Sequence, residues 1–177
     1  MKLIITEEQL RLIIENEGKG ENLIDLTDVY KSGVSPNKWD DIFLLLKEKK
    51  ERKGDKTYDG YYIDGVVSLF ESEVTELKYL VKVGDRLILS YSKISSLPIL
   101  EYVGGDLFLT DVPIESLPML KYVGVDVYLE NSKIESLPKG LYVGGNLYLR
   151  KTPLSKVTTI KELRNKIEVE GRIQLWK

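Results

Sequence analysis

The 177-residue chain contains neither histidine nor cysteine. Without histidine it can build no Ser-His-Asp or Cys-His nucleophilic pair and no imidazole proton shuttle, and it lacks the commonest metal ligand. Without cysteine, thiolate catalysis, disulfide staples and zinc-finger-type sites are excluded. Chemistry would fall to carboxylates, Lys, Tyr or Ser, and most mechanisms built on those alone use a metal or a cofactor. The composition therefore points away from an enzyme, and no cofactor is expected. Neither sign of charge is in excess: 26 Lys and Arg against 28 Asp and Glu leave a net charge of −2. No field exists to hold a phosphate backbone, so nucleic acid is not an expected partner. Long apolar runs are missing too. The opening MKLIITEEQL carries one Lys and a four-residue apolar and small stretch before the acids, too short for a signal peptide or a membrane span. The expectation is a soluble, cytoplasmic protein with no membrane partner.

What is present is a core-forming share of apolar residues, 42% of the chain, in a length that suits one domain, or one domain with an appendage. Those residues recur. A 20-residue period runs without insertion from Tyr62 to Thr152: YVGGDLFL begins at Tyr102, YVGVDVYL at Tyr122 and YVGGNLYL at Tyr142, with looser copies at Tyr62 and Lys82. In each unit two apolar residues bracket a variable one, as Leu107 and Leu109 bracket Phe108, which is the alternation of a short strand with one buried face. Another apolar residue follows five positions on (Val74, Ile94, Ile114, Ile134, Leu154) and one more three positions later (Leu77, Leu97, Leu117, Leu137, Val157). Pro98, Pro118 and Pro138 come next in the three middle units.

A unit this short cannot bury its own apolar side, but stacked copies can. Equivalent residues then lie on neighbouring parallel strands roughly 4.8 Å apart. The Leu, Val and Ile columns become a core running the length of a solenoid. Proline, with no amide donor and a fixed φ, belongs on the returning side of the coil. Gly84, Gly104, Gly105, Gly124, Gly144 and Gly145 fall just before the strand, where the expectation is a turn in a backbone conformation that side chains resist.

The segments LFLTDVPIESLP (Leu107 to Pro118) and VYLENSKIESLP (Val127 to Pro138) resemble the leucine-rich repeat, LxLxxNxLxxLP, in its short 20-residue bacterial form. The resemblance covers Tyr62 to about Val157. It implies an α/β solenoid with a short parallel β-sheet whose open face binds proteins. Two positions depart from the family pattern. Its Asn is replaced by Ser72, Ser92, Val112, Ser132 and Thr152, and its first Leu by Gly, with Val83, Val103, Val123 and Val143 one residue earlier. Hydroxyls can take over part of the Asn hydrogen bonding, but Val112 cannot. These departures leave a straighter, β-helix-like stack as the alternative. The opening MKLIITEEQLRLI also resembles openings common in small proteins of tailed phages, which implies a host protein as partner and the host cytoplasm as location.

An open stack exposes core and strand edges, so caps are expected at both ends. The chain divides into a helical N-terminal cap or lobe (1–61), five repeats (62–157) and a C-terminal capping helix and strand (158–177). Thr6 with Gln9 forms a capping-box pattern opening a helix with Leu10, Ile13 and Ile14 on one face. Ser35-Pro36 opens a second helix through Trp39, Ile42, Phe43 and Leu46. Trp39 and Phe43 are expected to cover the first coil. The KEKKERK run from Lys47 reads as a solvated helix end. Asn22 to Gly33 carries no assignable pattern. Near the C-terminus, Thr159 and Glu162 form another capping box, with Ile160, Leu163 and Ile167 at helical spacing. VEGRIQLW then repeats the strand pattern, Leu175 falling 26 residues after Leu149, one period plus six.

In each strand the residue between the two buried ones points onto the open sheet face. That column reads Ser68, Ile88, Phe108, Tyr128, Tyr148, and it is flanked by Arg86, Asp106 and Asp126 on one side and by Glu130 and Arg150 on the other. An apolar and aromatic stripe bordered by mixed charge is the composition of a protein-binding hot spot, although aromatics also favour strands and stack along a ladder for structural reasons alone. Ile88, Phe108, Tyr128 and Tyr148 are the expected partner-binding residues, with Arg86, Asp106, Asp126, Glu130 and Arg150 setting specificity. A second column, Tyr62, Lys82, Tyr102, Tyr122, Tyr142, is placed at the coil edge. Asp106 and Asp126 on adjacent strands are also close enough to share a proton or a cation, but Arg86 and Arg150 stand ready to pair with Asp106 and Glu130. A surface- or glycan-binding adhesin would use the same aromatics for stacking. An enzyme would need a pocket between the N-terminal region and the first coil, near Asp64, Tyr61 or Tyr62.

Overall fold

In a computed structural model that describes residues 23–51 and 59–176, the repeats form a parallel-strand β-solenoid. The N-terminal part contains β1 (Leu23–Asp25), α1 (Thr27–Lys31), a 3₁₀ turn (Pro36–Lys38) and α2 (Trp39–Glu51). The stack follows as β2 (Gly60–Ile63), β3 (Val67–Ser68), β4 (Leu80–Val83), β5 (Leu87–Ile88), β6 (Tyr102–Val103), β7 (Leu107–Phe108), β8 (Tyr122–Val123), β9 (Val127–Tyr128), β10 (Tyr142–Val143) and β11 (Leu147–Tyr148). It ends with α3 (Pro153–Val157), α4 (Ile160–Arg164), β12 (Glu168–Val169) and β13 (Ile173–Gln174).

Each coil supplies two short strands, so there are two parallel sheets rather than one: a seven-stranded sheet in the order β1-β2-β4-β6-β8-β10-β12 and a six-stranded sheet in the order β13-β11-β9-β7-β5-β3. The register follows the period, Leu87 standing beside Leu107, Leu107 beside Val127 and Val127 beside Leu147. The column from Tyr62 to Tyr142, placed by the sequence at a coil edge, lies inside the seven-stranded sheet. Its cause is the valine one residue later: Val83, Val103, Val123 and Val143 are fully buried, and strand alternation turns the preceding side chain outward.

The core is the set of columns read from the period. Val67, Leu87, Leu107, Val127 and Leu147 are fully buried, as are Leu89, Leu109, Leu129 and Leu149, with Leu69 almost so. One member departs. Val157 is 79% exposed, because the last coil breaks into α3, which Pro153 opens and the Thr152 hydroxyl caps by accepting from the Ser155 amide. A helical turn places Leu154 inward and carries Val157 off the core.

The glycines serve a different purpose from the one expected. None of the six has a positive φ; a Cβ on Gly124 would instead lie 2.0 Å from the carbonyl oxygen of Gly104 in the coil below. The column is glycine because adjacent coils touch backbone to backbone. The left-handed conformation is taken elsewhere, by Glu71, Tyr91, Asp111, Asn131 and Lys151, with φ between 54° and 61°. In the column that replaces the family's Asn, the hydroxyls of Ser92, Ser132 and Thr152 donate to the carbonyls of Leu89, Leu129 and Leu149 at 2.6–2.9 Å. Val112 fills the same position as a buried apolar residue, and the Ser72 hydroxyl is buried with no partner among the described residues.

At the N-terminal side, β1 occupies part of the segment that the sequence left unassigned and pairs in parallel with β2. Three residues are too few to show a period. Trp39, Ile42 and Phe43 are buried, and the Phe43 ring packs 4.9 Å from Tyr79 and 5.9 Å from Tyr61. Asp40 ties this helix to the sheet by accepting from the Tyr61 hydroxyl at 3.0 Å and from the Lys78 amide at 2.8 Å. The Thr6–Gln9 capping box and the face of Leu10, Ile13 and Ile14 lie outside the described residues. At the other end the Thr159–Glu162 capping box is present, with both reciprocal hydrogen bonds. Leu163 and Ile167 are buried, whereas Ile160 is 45% exposed, since it opens the helix on the solvent side. β12 and β13 join the two sheets in the 26-residue register, Tyr142 beside Glu168 and Leu147 beside Ile173.

Candidate functional site

The six-stranded sheet holds the candidate residues on one face, because each strand buries the residues on either side of them. Ser68 is exposed, and Ile88, Phe108, Tyr128 and Tyr148 are half-buried on successive rungs. The three aromatic rings form a continuous stack: Phe108 to Tyr128 has centroids 4.6 Å apart and planes 3° apart, and Tyr128 to Tyr148 has 4.8 Å and 5°. The separation is the strand spacing, so the backbone sets the stacking distance. Ile88 and Gln174 occupy the rungs at either end. The rings therefore cover one another's faces and present edges and hydroxyls outward, leaving no ring face within the stack for a sugar to lie on.

The flanking charges behave as a ladder. Arg86 pairs with Asp106 at 3.2 Å, as its position one rung away implied. The other oxygen of Asp106 accepts from the Asp126 amide at 3.1 Å, Asp126 accepts from the Asn146 amide at 2.6 Å, and the Asn146 carbonyl oxygen accepts from the Arg172 amide at 2.9 Å. Each side chain thus satisfies the backbone of the next coil at the turn between the sheets, where no sheet partner exists. The two aspartates are engaged with backbone amides, Asp106 also with Arg86 and Asp126 also with the Tyr128 hydroxyl and the Asn146 side-chain amide. No cluster of three or more acidic side chains suited to a metal ion occurs among the described residues. Glu130 and Arg150 form no ion pair among the described residues; Glu130 accepts instead from the Thr110 hydroxyl at 3.5 Å.

Tyr128 is the chemically perturbed member. Burial pushes its phenol up to about 12, helped by its 3.0 Å hydrogen bond to Asp126 and by that carboxylate's charge. A phenol raised above its unfolded value of 10.0 stabilises the fold fully below that pH, and the contribution is lost as pH rises through the folded value. Base-induced loss of stability between pH 10 and about 12 should accordingly be steeper for the wild type than for Tyr128→Phe. Equal slopes in the two denaturation series would contradict the assigned hydrogen bond.

The seven-stranded sheet carries a second ladder that sequence reasoning treated as packing. Tyr102 and Tyr122 stack at 4.8 Å and 6°, Tyr122 and Tyr142 at 5.3 Å and 11°, and the Lys82 ammonium lies 5.2 Å from the Tyr102 centroid. At its N-terminal end a shallow groove of about 650 Å³ is lined by Leu23, Asp59, Val81, Lys82, Ile99 and Tyr102, among others. The residues named for an enzyme do not line it. Tyr61 is fully buried, with burial raising its phenol well above the ordinary range and its hydroxyl held by Asp40. Tyr62 donates to Asp25 at 2.9 Å, and Asp64 is exposed.

Two exposed aromatics on the six-stranded side, Tyr91 and Trp176, were missed, and a third, Phe70, lies in the flanking column of Glu130 and Arg150. Phe70 is 50% exposed and packs edge-on to Tyr91 at 5.5 Å. Trp176 is 67% exposed at the opposite end, two residues beyond the Tyr148–Gln174 pair and therefore opposite Arg150. Carrying the 26-residue offset one column further would have found it. No helix among the described residues is long and apolar enough to cross a membrane. No family model, curated protein or solved structure matches the chain.

Proposed function

We propose that the protein is a non-enzymatic interaction module of the leucine-rich-repeat type that binds a protein partner on the open face of its six-stranded sheet. The observation that carries this reading is the Phe108–Tyr128–Tyr148 stack, half-buried and held at strand spacing. Aromatic anchors fixed before binding lose little rotational freedom when a partner arrives, which is the property of an interface hot spot. Ile88 extends the stripe. Arg86, Asp106, Asp126, Glu130 and Arg150 border it and set specificity by charge. In the same reading α2 covers the first coil through Trp39 and Phe43, and the C-terminal helix covers the core at the other end. The opening MKLIITEEQLRLI, which resembles those of small phage proteins, supports a host protein as the partner and the host cytoplasm as the site of action.

The test is affinity capture from a cell lysate with the wild type and a Phe108→Ala/Tyr128→Ala double variant, each first shown to melt cooperatively. A specific protein band retained by the wild type and lost by the variant is the expected result. Identical bands would refute the face as the binding surface.

A further inference from the structure

The C-terminal end of the solenoid treats its two sheet edges differently. At β12 the guanidinium of Arg164 donates to the carbonyls of Val169 and Gly171, both at 2.8 Å, and so occupies the outward acceptors of that edge. The neighbouring edge, β13, has β11 as its one partner among the described residues. The carbonyls of Arg172, Gln174 and Trp176 accept from Leu147, Leu149 and Lys151 of the preceding coil. In a parallel ladder the backbone groups of the alternate residues, Ile173 and Leu175, then point the other way. An edge of this kind is a template for a further strand.

Charge and apolar surface at the same place say what strand would suit it. Between Arg150 and Trp176 the chain carries seven Lys and Arg against three Glu, although the protein as a whole is slightly acidic. Arg150, Lys151, Lys156, Lys161, Lys166 and Arg172 take part in no ion pair among the described residues. The exposed Trp176 indole stands among them, in the column next to Tyr148 and Gln174. A long polyanion such as nucleic acid would run on past the acidic remainder of the molecule, whereas a short acidic segment can stay at this pole.

We infer that β13 accepts an acidic, extended peptide segment of a protein partner as an added strand, with Trp176 as its apolar contact and Arg150, Lys151 and Arg172 as its charge partners. This surface shares Arg150 with the border of the aromatic stack but uses neither Phe108 nor Tyr128, so the Phe108→Ala/Tyr128→Ala variant should keep it.

The chain has two tryptophans, and with Trp39 buried and Trp176 exposed, a change in emission on adding a peptide that is absent in Trp176→Phe reports on Trp176. The full chain is titrated with a blocked Glu-Val-Glu-Val-Glu-Val-Glu peptide, its Lys-for-Glu counterpart, an N-methylated version that cannot extend a sheet, and oligo-dT. The expected result is a saturable blue shift with the Glu peptide alone, abolished in Trp176→Phe, weakened by salt and weakened about tenfold in Lys151→Glu/Arg172→Glu. Isothermal titration keeps the binding measurable in the Trp176→Phe variant. Equal binding of the Lys peptide or of the N-methylated peptide, tighter binding of oligo-dT, no saturable binding, or concentration-dependent self-association that the Glu peptide does not reverse would each overturn the assignment.

Discussion

Replacing Gly124 by alanine is expected to lower the melting temperature far more than replacing Gly140, although Gly140 is the one with a positive φ, at 81°. At Gly140 a new Cβ meets nothing within 4 Å, so the cost is the strain of a left-handed alanine, about 1 kcal/mol. At Gly124 the new Cβ would lie 2.0 Å from the Gly104 oxygen and 2.9 Å from its carbonyl carbon. These are backbone atoms in a coil whose own position is fixed by the coil beneath, so no side chain can rotate away. Relief requires prising two coils apart and lengthening the hydrogen bonds between them, an overpacking cost of about 3–5 kcal/mol. Thermal unfolding of both variants decides the matter. If Gly140→Ala proves the more damaging, the glycine column is conformational and the close-approach explanation fails.

Leu109→Ala should also cost heavily, about 2–5 kcal/mol, since the side chain is fully buried and its removal leaves a void that packed neighbours fill only in part. For a chain of this size that corresponds to a drop of roughly 5–15 °C. The position lies mid-stack, flanked by Leu89 and Leu129 on the adjoining coils, and a repeat array depends on each nearest-neighbour contact. Val125→Ala, 45% exposed two residues before the equivalent strand, should change stability by about 0.5 kcal/mol or less. Similar losses for the two variants in urea denaturation would mean that the Leu column is not the core.

The periodic part of this fold was legible because its information is local and repeated. Leu107, Leu109 and Ile114 recur at fixed spacing, and the same spacing places them in one interior. The ring column was legible for the same reason, Phe108 being enclosed by two buried leucines. What escaped the sequence depends on contacts between coils. Asp106 and Asp126 were read as close enough to share a proton or a cation, and spacing alone does not reveal that each also holds the amide one coil further on. The second sheet was hidden because its marker, the buried valine after each tyrosine, was read as a substitute for a missing leucine. β1 and α3 were lost for being short, and Val157 was misplaced by extending the period one turn into a helix.

The left-handed residues carry a consequence for how the molecule comes into being. Glu71, Tyr91, Asp111, Asn131 and Lys151 each hold a backbone posture that disfavours an L-residue by about 1–2 kcal/mol. The amide of each is engaged by a carbonyl oxygen of the following coil: Ser90, Thr110, Glu130, Arg150 and Trp176 in turn. A newly made loop therefore has only its local turn, in which the residue after the left-handed one bonds back to the last buried leucine, and it gains its second hold when the next coil arrives. Emerging from a ribosome, the protein would set like a zip whose every tooth waits for the next, Lys151 being held by the Trp176 carbonyl just beyond β13.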